Sequence, residues 1–87
     1  IYDQLLYDGQ KTRSLLSFPD EIRKQSVVIN GLSKAYSMTG WRVGFTIAEP
    51  AVITAMAALQ GQMTSNITSF VLAAIPPALT SHDADVE

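Results

Sequence analysis

The hydrophobic positions fall into two short β-rich runs and two helical stripes, joined by polar chain. Val27, Val28 and Ile29 stand together inside residues 26–33, as in a strand covered on both faces. Residues 42–48, RVGFTIA, form a second β-rich run. Between them lies YSMTG, a turn-like stretch in which Gly40 is free to take positive φ. A parallel pair needs a crossover of about a dozen residues or more, so strands this close pair as antiparallel neighbours. Pro50 suits the first position of a helix. From there Val52, Ile53, Met56, Leu59 and Met63 recur at the spacing of one helical face, which predicts a helix over about 50–62, weakened near its end by Gly61. TSN at 64–66 offers N-caps for a second helix over about 66–75, with Phe70, Val71, Leu72 and Ile75 as its apolar side. Pro76 and Pro77 are expected to end or kink that helix, because each lacks an amide hydrogen and clashes with the preceding turn.

The chain ahead of the strands is less regular. Asp8-Gly9 is a turn signal. Residues 9–25 are polar and charged and read as a surface connection, tethered by Leu15, Leu16 and Phe18. Asp20 is placed to cap a single helical turn over 20–24. The tail TSHDADVE is polar and is expected to fray. No internal repeat or boundary divides the chain, so the expectation is one α/β unit: an antiparallel strand pair followed by two helices.

Composition narrows the classes of partner. At 87 residues and 47% hydrophobic content, the chain suits one unit with a modest core. A net charge of -2 and the lack of a basic cluster argue against nucleic acid or an anionic membrane as the main partner. With no cysteine, neither a disulfide nor a thiolate metal site can form, which fits a cytoplasmic protein. No apolar run reaches the ~18 residues of a membrane span. His82 is the lone histidine, in a polar tail with no second imidazole or thiolate beside it, so a metal role is not expected. The opening IYDQLLYDG enters as if in mid-strand, and the expectation is a piece of a larger protein.

Two cations flank the turn, Lys34 after the first β-rich run and Arg42 at the start of the second. A desolvated lysine beside another cation loses its proton more easily and becomes a nucleophile toward carbonyl carbon. Arginine stays charged, and its planar fork suits phosphate. Ser33 adds a hydroxyl donor. Together these residues can hold a phosphorylated carbonyl compound, which points to pyridoxal phosphate. The same spacing also fits a plainer arrangement, in which Lys34 snorkels from a strand end and Arg42 pairs with a surface carboxylate.

The longer motif VVINGLSKAYSMTGWRVGFTIAEP resembles the lysine segment of class I aminotransferases, of fold type I among pyridoxal-phosphate enzymes. IYDQLLYDG and LQGQMTSN add to the likeness, which runs from residue 1 to about 75. The resemblance implies a fragment of the large, cofactor-binding domain of an aspartate aminotransferase-like enzyme. It implies pyridoxal 5′-phosphate as cofactor, with an amino acid, aspartate among the candidates, and a 2-oxo acid as substrates. Lys34 resembles the catalytic Schiff-base lysine, which also shuttles the proton at the substrate α-carbon. Ser33 and Arg42 resemble phosphate ligands. Tyr2 resembles the tyrosine that bonds the cofactor's phenolic oxygen. Asn30, Tyr36 and Trp41 read as packing or loop-fixing residues, and Tyr7 as a packing aromatic. The family forms dimers, and the segment holding Ser65 and Asn66 lies near the subunit interface. The family's aspartate for the pyridinium nitrogen and its arginine for the substrate carboxylate fall outside these residues. Pro76-Pro77 departs from the family pattern. Two other readings stand beside this one: an inert or self-associating piece when isolated, and a fold type I lyase or synthase.

Overall fold

A computed structural model gives the fold, and residues 1–81 are described. Its elements are a 3-10 turn Leu15–Ser17, α1 Asp20–Arg23, β1 Val28–Gly31, a second 3-10 turn Thr39–Trp41, β2 Gly44–Ile47, α2 Pro50–Met63 and α3 Ser69–Ser81. The expected α/β arrangement is borne out. β1 and β2 pair antiparallel, with Val28 opposite Ile47, Ile29 opposite Thr46, Asn30 opposite Phe45 and Gly31 opposite Gly44.

The strands are shorter than the runs that predict them, because the ladder stops at the Gly31–Gly44 pair. Leu32 and Val43 leave it there to enter the core. Among the described residues that core is small: Leu32, Val43, Val71 and Ala78 are buried, with Tyr36, Met38, Phe45 and Ile75 packed against them. It joins α3 to the root of the hairpin. The expected cover on both faces of β1 is not found, since Ile29 is 69% exposed on the face away from the core.

Pro50 opens α2 in its first turn, as expected. TSN closes α2 instead of opening α3. The amide of Thr64 donates to the Gln60 carbonyl at 3.0 Å, and Ser65 turns left-handed at φ 68°. The next helix begins only at Ser69, with the amide of Leu72 donating to the Thr68 carbonyl at 3.1 Å.

That helix also runs through Pro76 and Pro77 to Ser81 instead of ending near residue 75. Val71 and Ala78, one on each side of the proline pair, are both seated in the core, and Ile75 lies against it. Packing on one seam holds the turn where backbone hydrogen bonds are lost. Residues 82–87, His82 among them, lie outside the described residues.

Other expectations change in detail. Pro19 takes the N-cap position of α1, so Asp20 is its first residue and pairs with Arg23 at 2.9 Å. Leu15 and Leu16 are exposed, while Phe18 is half-buried beneath the Arg13 guanidinium at 5.1 Å. Tyr7 is exposed rather than packed. No residue of α2 is buried, so its apolar stripe lies open among the described residues.

Candidate functional site

Leu32 is fully buried, and the chain turns immediately after it. The Tyr36 amide reaches back to the Leu32 carbonyl and the Ser37 amide to the Lys34 carbonyl, both at 3.3 Å. Anchoring one residue and tightening the next four leaves Ser33 half-buried and Lys34 exposed. Just upstream, Asn30 Oδ1 accepts from the Gly31 amide at 2.8 Å, bracing the exit from β1.

The N-terminal segment lies beside this turn. A bend closed by the Leu5 amide on the Tyr2 carbonyl, at 3.1 Å, presents Tyr2 toward it. Tyr2, Ser33 and Lys34 line one cavity of about 600 Å3. Sequence reasoning missed two of its hydroxyl residues, Ser37 and Thr39. Their signal was present as hydroxyls spaced along YSMTG, but serine and threonine there read equally as turn formers.

Arg42 sits elsewhere. It lines a second cavity of about 540 Å3, whose walls are the turn at Gly40–Arg42 and the start of α3 with the chain before it. Its Nη1 donates to the Thr39 carbonyl at 3.0 Å, and no carboxylate pairs with it among the described residues. The turn thus carries a cation to each cavity, with Thr39 between them. Ser65 closes α2 away from the first cavity, and Asn66 lines the second. Trp41 packs edge-on against Phe70.

The donor set of the first cavity fits a phosphorylated aldehyde. It offers an amine for carbonyl carbon, a phenol, and hydroxyls able to donate to phosphate oxygens. Its volume lies in the range of small-molecule sites, roughly 300–1,000 Å3.

A family model described as aminotransferase class I and II matches residues 1–87. The chain belongs to this family. Its relatives include the asparagine–oxo-acid transaminase of Streptococcus mutans, 41% identical over the whole of this chain and 22% of the relative's length. The aspartate aminotransferase of Bacillus subtilis is 45% identical over 79% of the chain and 18% of its own length. The aspartate/prephenate aminotransferase of Nitrosomonas europaea is 40% identical over 91% of the chain and 20% of its length. This member of the family therefore spans about a fifth of the length of the curated relatives it matches. Among its described residues, no helix is long and apolar enough to cross a membrane, and no three His, Cys, Asp or Glu residues group as metal ligands.

Proposed function

We propose that the protein carrying this chain is a cytoplasmic, pyridoxal 5′-phosphate-dependent aminotransferase that moves an amino group between an amino acid and a 2-oxo acid. Lys34 is its Schiff-base lysine. The observation that supports this most is the meeting of Lys34, Ser33 and Tyr2 at one cavity in a chain of this family. The names of its relatives favour aspartate or asparagine as amino donor.

When bound, the cofactor supplies an electron sink for charge developing at the substrate α-carbon. The chain supplies the handling of atoms around it. Nζ of Lys34 would bond the aldehyde carbon with loss of water, and once the substrate's amine displaces it there it would move the proton at the α-carbon. Ser33 Oγ donates to a phosphate oxygen. The Tyr2 hydroxyl holds a proton at the phenolic oxygen. Arg42 lines the other cavity, and its fork has further N–H donors beyond the one on Thr39 that would take phosphate oxygens from that side of the turn. A homodimer belongs to the same proposal.

Borohydride reduction of the full-length protein with its cofactor, followed by peptide mass mapping, is expected to label Lys34. Lys34→Ala should lose both the label and transamination, by a factor of at least ~100, the low end of what a positioned acid/base contributes. Label on another lysine, or an active Lys34→Ala variant, overturns the assignment.

A further inference from the structure

Arg42 holds a left-handed backbone at φ 53°. That conformation is uncommon for any residue but glycine, and it persists where the surroundings over-determine it. Here they do so from both sides. Trp41, just before Arg42, sets its ring edge-on to Phe70, with 6.3 Å between centroids and 71° between planes. Val43, just after Arg42, is buried in the cluster that holds Val71. Phe70 and Val71 are neighbours in the first turn of α3. Both flanks of Arg42 are therefore pinned to one helical turn, and all of Trp41, Arg42, Phe70 and Val71 line the second cavity.

We infer that Phe70 is a positioning residue for Arg42, acting through Trp41 to seat the turn in the backbone conformation that sets where the guanidinium reaches. The inference rests on the proposed role of Arg42 as a phosphate ligand. Without the Phe70 ring the Trp41 side of the turn loses its tie to α3 and keeps its short-range bonds, the Trp41 amide on the Met38 carbonyl and Arg42 Nη1 on the Thr39 carbonyl. Arg42 then relaxes toward the ordinary right-handed region, and its fork loses a fixed place. Lys34 lines the other cavity and keeps its own anchor in Leu32. The effect thus falls on phosphate recognition and spares the reaction of amine with aldehyde.

The experiment compares equilibrium binding of pyridoxal 5′-phosphate and of pyridoxal, which has no phosphate, to the full-length protein. The variants are Phe70→Ala, Phe70→Tyr and Arg42→Ala. Phe70 is 67% exposed, so its truncation leaves the buried cluster intact. Phe70→Ala is expected to weaken the phosphorylated ligand about two- to tenfold, the worth of one aromatic pair, and to leave pyridoxal within about twofold. Phe70→Tyr, which keeps the ring, restores wild-type discrimination. Arg42→Ala is expected to cut the advantage of the phosphorylated ligand about tenfold or more, the worth of a hydrogen bond to a charged group. If Arg42→Ala keeps that advantage, the phosphate role of Arg42 fails and the inference with it. If Arg42→Ala cuts the advantage but Phe70→Ala retains it, or weakens both ligands equally, the role of Arg42 stands and that of Phe70 is overturned.

Discussion

Gly31 and Gly44 face each other where the ladder ends. A Cβ at Gly31 would lie 3.0 Å from the Val43 carbonyl oxygen, and one at Gly44 would lie 3.1 Å from that of Asn30. Backbone oxygens cannot swing aside as a side-chain tip can. Gly31→Ala should therefore destabilise by about 1–3 kcal/mol, seen as a lower Tm of the protein carrying the chain, and an unchanged Tm refutes the close approach. Gly40 makes the opposite case. It was the glycine in YSMTG that invited a left-handed turn, yet it lies in the 3-10 turn, and the positive φ angles fall on Ser37 and Arg42. Glycine content shows which residue tolerates that conformation most cheaply, whereas the anchors at Leu32 and Val43 decide which must adopt it. With nothing within 4 Å of an added Cβ, Gly40→Ala is expected to be neutral to within about 0.5 kcal/mol. A loss matching that of Gly31→Ala would return the left-handed turn to Gly40. Lys34, Ser33 and Tyr2 stood out as candidates because amine, hydroxyl and phenol are chemically distinctive in their motif, and the three line one cavity. The separation of Arg42 from them was not, because it depends on how the turn folds.

At the scale of elements, short-range rules carried the hairpin and α2. A β-branched run, a connection too short for a crossover and Pro50 each act within a few residues. α3 escaped them because its continuation is set from a distance. Its backbone lacks amide hydrogens at Pro76 and Pro77, and the packing of Val71, Ile75 and Ala78 at the hairpin root offsets that loss. Pro76→Ala gives the Leu72 carbonyl a helical donor without touching a buried residue. We expect a gain of about 1–3 kcal/mol in thermal unfolding followed by circular dichroism. A loss would mean that the pyrrolidine ring itself is a packing element. The apolar stripe of α2 was likewise visible in the sequence, but a stripe says that a face can be buried and not what buries it.

The molecule as a whole measures 44 × 36 × 18 Å, with a radius of gyration of 14.8 Å. A compact domain of this length comes to about 12 Å. The difference matches the open surfaces: Ile29 on the sheet, Leu59 and Met63 on α2, Leu72 on α3. Two strands with free edges and apolar flanks favour pairing with another copy. The 87-residue polypeptide made on its own should therefore scatter light as a dimer or larger species and show no transamination; a clean monomer, or turnover of aspartate, would count against this. The core that does form draws its members from far apart, Leu32 and Val43 at the hairpin and Val71 and Ala78 on α3. A ribosome adds roughly 5–20 residues per second, so the lysine turn emerges seconds before the helix that buries Leu32 beside it. During that interval Leu32 is without Val71 and Ala78, so the cluster that seats the lysine turn closes after the turn itself has been made.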